Sequence, residues 1–548
     1  MIIPRKSADL PKAPGVATIA LVLFWCAVLV VIVATKLGPG IQPIVTDDGT
    51  QYLSVAGNFK HGSGLRTSLV HFDAERSWGV IPAPLTTWPV GYPIAVATVE
   101  AMGLSGELAG GLVSAVAVLG SLALLAIMSR KIGVLLFGQA VLLGLFALNW
   151  WTDVFLFNVL SDPSFTFIVL AAMMLLVTTL EAAETGQRWV ESAAAAGILL
   201  GLAYWFRYAG LFIFIGVCAN AGLLLALRRL RDLRPLLLTC SVAAAAIGAE
   251  MLRNVILVGS WEGGNNKVVH RPVTEVTREI AVCIRDVLVG DGKMSHLLVI
   301  RAIVVLSLVG ACVVGLVARR RRSTSTTPDC DSIGSSELLL GVVVVTYVAC
   351  LGYAATCTII ELTGRYLVPV LPLALLLLAK TAFGTGEQGH THAFRFARAS
   401  FWIALLGIYA FVHFDAWMNA ETSVSVEAAR RALDSRAAGD RATRDIIVAA
   451  AGPNGTIMAT NGQAMGYALE RPTISLVGPR YSSHEWDETF LHSTVKRFSV
   501  RVVIIDSTAS VPAASPFVSE LASGRGPSWL TKLVATDLVT AYRPTDVP

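Results

Sequence analysis

The sequence predicts a polytopic α-helical membrane protein of about eleven transmembrane helices, followed by a small C-terminal extracytoplasmic α/β domain. Three observations predict it. Of the 548 residues, 54% are hydrophobic and 15% are charged, and the mean hydropathy is +0.65. Soluble domains carry about 25% charged residues, so lipid is the main solvent for this chain. The apolar residues fall into runs of about 18 to 25, the length a helix needs to cross about 30 Å of hydrocarbon. The basic residues sit in short clusters at the ends of those runs, which marks the cytoplasmic side of a membrane protein. A net charge of +5 and a pI near 8.8 therefore reflect orientation. With no basic face or stripe, nucleic acid is excluded as a partner.

The first run, Val16 to Thr35, follows Arg5, Lys6 and Lys12. A signal peptide has the same order, but this run is long enough to span and no clear small-x-small cleavage pattern follows it. With this run taken as 16–36, further spans are expected at 107–128, 132–150, 163–180, 191–206, 211–227, 235–257, 296–318, 337–360, 366–383 and 399–416. Only Arg207-Tyr208-Ala209-Gly210 separates the fifth from the sixth. Read as one helix at 1.5 Å per residue, the pair would be about 55 Å long, so two spans fit better. With the N-terminus cytoplasmic, Arg130-Lys131, the Arg228 to Arg231 cluster, Arg319 to Arg322, and Arg395 with Arg398 all lie inside. The same threading places outside a first loop (37–106), a short loop ending at Asp162, a loop over 258–295, a turn around Arg365 and everything after residue 417. The expected location is the inner (plasma) membrane. Pro89 to Leu104 is too short and too interrupted by Pro and Gly to span, and reads as an interfacial helix on the outer leaflet.

Two units result. Residues 1–416 form the transmembrane domain, with interfacial helices in its first external loop, and 417–548 form the extracytoplasmic α/β domain. In the latter, Val424 to Arg444 reads as a charged helix, and Asp445 to Ala450, Thr456 to Thr460, Thr473 to Val477, Val500 to Ile505 and Leu538 to Tyr542 as short β-prone runs. The Ser/Thr-rich stretch 323–336 reads as a cytoplasmic loop. Six of the eight cysteines lie in apolar runs as small hydrophobes; Cys283 falls outside and Cys330 inside, so no disulfide framework or zinc spacing is expected. No internal repeat and no inverted pair of broken helices of the transporter kind is seen.

The charged residues at the outer ends of the spans are the candidates for chemistry. Asp47 and Asp48 follow the first span directly, either as a solvated cap for the next helix or as a functional acid pair. Asp162 stands where the second loop enters the fourth span, again as a cap, with Pro163 at the first helical position, or as a functional acid. Arg207, in Trp205-Phe206-Arg207-Tyr208, and Arg365, before Tyr366, either snorkel to headgroups or hold an anionic one. Two arginines and three aspartates at one membrane level favour the second reading, with the arginines on the headgroup and a carboxylate acting on the other reactant. Trp78, Trp88 and Trp261 suit stacking on a sugar ring or simple interface packing. His61, His71 and His270 read as surface or packing residues. The Gly-rich stretch Gly259 to Asn266 lacks the strand-to-helix setting of a phosphate-binding loop.

Taken in order, Asp48-Gly49-Thr50-Gln51-Tyr52 with Ala56, Asn58 and Gly62, then Pro89-Val90-Gly91-Tyr92-Pro93, Leu160-Ser161-Asp162-Pro163, Gly201-Leu202-Ala203 leading to Arg207, and Arg365-Tyr366-Leu367-Val368-Pro369 resemble the GT-C superfamily of membrane glycosyltransferases. The resemblance is to the protein O-mannosyltransferase and aminoarabinose-transferase group and covers residues 16–416. It implies an enzyme that takes a sugar from a polyprenyl-phosphate carrier and attaches it to an extracytoplasmic glycan, lipid or protein. It implies catalytic roles for Asp48, Asp47 and Asp162, and donor-phosphate binding by Arg207, Arg365 and Tyr366. Tyr52, Trp88 and Tyr92 become candidate substrate contacts. Relatives often carry Asp-Glu where this chain has Asp47-Asp48-Gly49, so the choice of base between the two aspartates stays open. A divalent cation, Mg2+ or Mn2+, held by Asp48 and Asp162 is compatible with the resemblance and not required by it.

Physical logic points the same way. Nucleotide sugars are confined to the cytoplasm, so external transfer needs a lipid-borne donor, and oxocarbenium character at the anomeric carbon is favoured by a nearby carboxylate. The rival readings are a transporter or flippase, for which the near mid-span Glu250 is the main pointer, a lipid-linked oligosaccharide polymerase or ligase, and a noncatalytic assembly protein whose exported domain binds glycans.

Overall fold

The computed structural model of the chain describes residues 15–37, 43–71, 80–156, 158–227, 233–263, 270–289, 334–358, 362–383, 392–419, 430, 433, 442–476, 486–507 and 515–546. From the N-terminus, α1 (Val16–Leu37) is followed by α2 (Asp47–Lys60), the two-residue strands β1 (Arg66–Thr67), β2 (Leu69–Val70) and β3 (Ala83–Pro84), and α3 (Gly91–Glu100). Then come α4 (Gly106–Lys131), α5 (Leu136–Ala147), α6 (Trp150–Leu156), α7 (Asp162–Thr185), α8 (Val190–Phe206), α9 (Gly210–Ala226), α10 (Arg234–Val258), α11 (Val273–Val289) and α12 (Ser335–Cys357). A 3-10 turn (Gly364–Leu367) leads into α13 (Leu371–Phe383) and α14 (His392–Asn419).

Among the described residues α4, α7, α10 and α12 are each long and apolar enough to cross a membrane. Their buried sides form one large apolar core, with Leu122, Leu125, Met173, Leu176, Val343 and Leu376 near its centre. The outward sides keep bare apolar residues such as Val116, Ile198, Ile256 and Val345, as expected where lipid rather than water is the solvent. The helices are those of a membrane protein. The span expected at 296–318 and the clusters Arg228 to Arg231 and Arg319 to Arg322 lie outside the described residues.

Two expectations need correction here. The span at 132–150 is a broken helix, with α5 and α6 meeting at 65°. Asn149 sits at the break, its Oδ1 accepting from Trp151 N–H at 3.0 Å and its Nδ2 donating at 2.7 Å to both Val287 O and Tyr409 Oη. His413 Nδ1 accepts from Trp150 N–H at 2.9 Å. The backbone groups a break exposes are thus satisfied without water. The loop at 258–295 carries a helix: α11 buries Val276, Cys283 and Val287 along one stripe and carries Glu275, Arg278 and Glu279 beside it.

The C-terminal segment comprises α15 (Ala442–Ala451), β4 (Thr456–Ala459), α16 (Gly462–Leu469), β5 (Thr473–Ser475), α17 (Glu488–Arg497), β6 (Val500–Asp506), α18 (Pro516–Ala522), β7 (Leu530–Ala535) and β8 (Val539–Pro544). Asp445 to Ala450, expected as a strand, is helical because Thr443, Ile447 and Ala451 recur every fourth residue on one buried face. Most of Val424 to Arg444 lies outside the described residues. The sheet runs β2-β5-β4-β6-β8-β7, parallel from β2 to β6 and antiparallel beyond. Its first strand comes from the connection between α1 and α4, some 400 residues away in sequence from its partner β5.

Candidate active site

The site is assembled where two connections lie side by side. Ile44, just before α2, bridges Asn158, and Val159 N–H donates to Ile44 O at 3.0 Å. This brings the first turn of α2 beside the first turn of α7. Gly49 permits the approach: a Cβ there would lie 2.8 Å from Val159 O. The cap of α2 is Thr46, whose side chain accepts from Gly49 N–H at 3.3 Å. The α7 cap is Ser161, with Asp162 and Pro163 in the first turn. The three aspartates are therefore not the caps of these helices; they sit in first turns, where the helix dipole favours negative charge.

Arg207 ends α8 in extended conformation, with φ −151° and ψ 135°. The N-terminus of α3 lies against the chain just before it: a Cβ on Gly91 would stand 2.7 Å from Trp205 O, which is why Pro89-Val90-Gly91 needs its glycine. Neither arginine snorkels. Arg207 Nη1 is 2.5 Å from Asp162 Oδ2, and Arg365 Nη2 donates to Asp48 Oδ2 at 2.5 Å. Arg365 Nε lies 3.9 Å from Asp162 Oδ1, so the two pairs form one cluster. Tyr366 lies between the guanidiniums, with Arg207 Cζ 5.5 Å and Arg365 Cζ 5.6 Å from its ring, and Tyr347 Oη donates to its carbonyl at 2.8 Å. Asp162 is 1% exposed, whereas Asp48 and Arg365 are 18% and 22% exposed. The cluster has a closed floor and an open side.

Burial alone would raise the Asp48 carboxyl. The charge and hydrogen bond of Arg365 outweigh it, with smaller help from Arg207 and His71, and hold the group below its ordinary value. Asp48 is turned to Arg365, and Asp47 stands about 100° from it round the helix. His71 was legible only as a surface or packing residue; it stands at the end of β2, and burial pushes it down to about 4 against the opposing pull of Asp48. Nothing in its sequence context, an isolated histidine after two apolar residues, signals that neighbourhood.

Two expected substrate contacts are corrected. Tyr92 is fully buried, its hydroxyl donating to Gly110 O at 3.0 Å and lying 3.1 Å from Ser114 Oγ. Tyr52 is 2% exposed, with its hydroxyl 3.0 Å from Ser161 Oγ. Tyr52 ties α2 to the start of α7 and Tyr92 ties α3 to α4, so both hydroxyls are committed to protein partners. Trp88 is half-buried, edge-on to Tyr52 at 6.5 Å. His61, His270 and Trp261 are exposed, and Trp78 lies outside the described residues. Asp48 and Asp162 face guanidiniums, and no group of three or more His, Cys, Asp or Glu suited to a metal occurs among the described residues.

This apolar helical body, whose α2 and α7 each open on an aspartate facing arginines from two later connections, shares its fold with solved structures of ArnT and of an oligosaccharyltransferase. ArnT from Cupriavidus metallidurans bound to undecaprenyl phosphate matches with a TM-score of 0.56 at 12% identity, over 95% of this chain and 98% of that one. The Archaeoglobus fulgidus oligosaccharyltransferase tethered with an acceptor peptide matches at 0.57 and 12% identity, over 96% and 74%. The same enzyme in complex with Zn and sulfate matches at 0.58 and 11%, over 96% and 74%. By sequence, the chain matches no family model and no curated protein.

Proposed function

We propose that the chain is an inverting glycosyltransferase that moves a sugar from a polyprenyl-phosphate carrier to an extracytoplasmic acceptor, a cell-envelope glycan, lipid or protein. The observation that carries this reading is the joined Asp48–Arg365 and Asp162–Arg207 pair, open on one side. Undecaprenyl phosphate in the ArnT structure of the same fold supports the donor class. The acceptor peptide in the oligosaccharyltransferase structure supports an acceptor bound by the same fold. Arg130 and Lys131 close α4 at the end opposite Glu107, which contacts Tyr467 of α16. This supports a cytoplasmic N-terminus, an extracytoplasmic C-terminal domain and a place in the plasma membrane.

In the reaction, the donor phosphate takes Arg207 and Arg365 as its counter-ions, with Tyr366 stacked between them. Drawing Arg365 away releases the charge that holds Asp48 low, so donor binding itself makes Asp48 more basic. Asp48 removes the acceptor hydroxyl proton as the new C1–O bond forms and the bond from C1 to the phosphate oxygen breaks on the opposite face. The leaving polyprenyl phosphate keeps the electron pair and is stabilised by the arginines. Asp162, buried beneath, fixes Arg207.

The test is incubation of the purified protein with a panel of polyprenyl-phosphate sugars, following loss of donor. One donor is expected to be consumed, with Asp48→Asn slower by about 10²- to 10⁴-fold. Correctly inserted Asp48→Asn and Asp162→Asn variants that transfer at the wild-type rate would sink the reading.

A further inference from the structure

The connection that carries Asp48 is also part of the C-terminal sheet, and one face of α2 makes the joint. Gln51, Ser54 and Asn58 recur at i, i+3 and i+7 and so share a face. Gln51 Oε1 accepts from Thr67 Oγ1 at 3.1 Å, Ser54 Oγ accepts from Ser68 N–H at 2.9 Å, and Asn58 Nδ2 donates to Arg66 O at 2.9 Å and to Ser68 Oγ at 3.0 Å. On its other side, Ser68 O accepts from Thr473 N–H of β5 at 2.8 Å. Ser68 is thus hydrogen-bonded to the helix bearing Asp48 and to the C-terminal sheet at once. Packing follows the same line: Tyr52, Leu53 and Ala56 share an apolar core with Ala464, Met465 and Ala468 of α16. Tyr467 Oη donates to Glu107 Oε1 at 2.8 Å, fixing α16 to the start of α4.

We propose that this joint is a positioning device: the C-terminal sheet, acting through Ser68 and the Gln51, Ser54 and Asn58 face, sets the roll of α2 and with it the approach of Asp48 to Arg365. The purpose of that positioning rests on the proposed function. The geometry gives the device its leverage. Thr46 and Gly49 hold only the first turn, whereas the three polar contacts run for about 10 Å along the helix at 1.5 Å per residue. A misplacement of about 1 Å at a reacting group costs on the order of 10²-fold in rate. Gln51, Ser54 and Asn58 are positioning residues in this scheme, and the C-terminal sheet takes part in the chemistry's geometry in addition to any acceptor binding.

Two variants test it in the full-length protein. Gly466→Val introduces a Cβ 2.1 Å from Thr473 Oγ1 and 2.6 Å from Leu69 Cδ2, prying α16 from β2 and β5 far from the aspartates. Ser54→Ala removes the acceptor for Ser68 N–H, and Ser54→Thr restores it. Both disruptive variants are expected to lower kcat about tenfold with donor KM within about twofold, since the arginines are untouched, and Ser54→Thr to recover. Amide exchange over residues 47–60 is expected to quicken about tenfold in both. Unchanged exchange over 47–60 in both variants overturns the proposal whatever the activity, and so does an unchanged kcat in an active enzyme. A wild type that consumes no polyprenyl-phosphate sugar overturns the proposed function alone, and the exchange measurement still decides the joint.

Discussion

Arg253 and Arg365 each meet a carboxylate near the end of an apolar helix or turn, yet the two clusters are built differently. Arg253 Nη1 lies 3.1 Å from Glu250 Oε1 and donates to Asn254 Oδ1 at 3.3 Å, and its Nη2 donates to Leu85 O at 2.8 Å. Asn254 Nδ2 continues to Tyr208 Oη at 3.1 Å, which donates to Thr86 O at 2.8 Å. Every contact leads to the backbone at Leu85 and Thr86, so the cluster is a clamp on the first long connection. Arg365, by contrast, meets carboxylates and the Tyr366 ring and no backbone carbonyl among the described contacts, and its buried Nε has no hydrogen-bond partner among the described residues. A structural cluster commits its donors to the fold, whereas a working one holds mobile charges against each other until a third can exchange in. Glu250, the main pointer to a transporter, belongs to the first kind.

The comparison breaks if the two arginines behave alike. Arg365→Gln is expected to lower kcat/KM for the donor by about 10³-fold, through loss of phosphate contact. Arg253→Gln is expected to keep activity per folded molecule within about threefold but to cost about 3 to 5 kcal/mol of stability, because Glu250 is left buried without its partner. Activity and thermal unfolding in detergent separate the two. Arg207→Lys sharpens it further, with donor KM expected to rise about tenfold as a planar fork is replaced by a point charge.

The pH profile supplies a subtler test. Because Arg365 holds Asp48 below its ordinary value, Asp48 stays ionised in the free wild-type protein and gives kcat/KM no acid limb between about pH 5 and 8. In the folded protein the same depressed carboxyl contributes stability above the ordinary carboxylate value and loses it as pH falls through the folded one. In Arg365→Gln, burial is no longer offset by its main opponent, so the carboxyl of the free protein moves up and kcat/KM should rise with pH through an acid limb the wild type lacks. His71→Gln should do least. His71, near 4, is neutral from about pH 5 upward, and a neutral replacement should hold kcat within about threefold.

The membrane helices and the charged set were legible because they rest on run length and on rare charges beside apolar segments. Asp48, Asp162, Arg207 and Arg365 meet as their shared membrane level implied. Tyr52 and Tyr92 misled, since an aromatic with a hydroxyl near a motif reads equally as substrate contact or core, and only the partners Ser161 and Gly110 decide. The 65° break between α5 and α6 was hidden because Leu136 to Leu156 is apolar apart from Gln139 and the Asn149 to Asp153 stretch. The strand at Leu69 and Val70 was illegible for a different reason: two residues carry no period, and their partner lies near the other end of the chain.

That break sets a condition on biogenesis. Apart from Trp151 N–H, which Asn149 Oδ1 accepts, the partners of Trp150 N–H and the Asn149 side chain among the described residues are Val287, Tyr409 and His413, residues made long after α5 and α6 have left the ribosome. Until α14 is in place, the segment leading to Asp162 has unpaired polar groups in an apolar setting. The cluster of Asp48, Asp162, Arg207 and Arg365 can therefore be completed only after nearly the whole membrane portion has been synthesised.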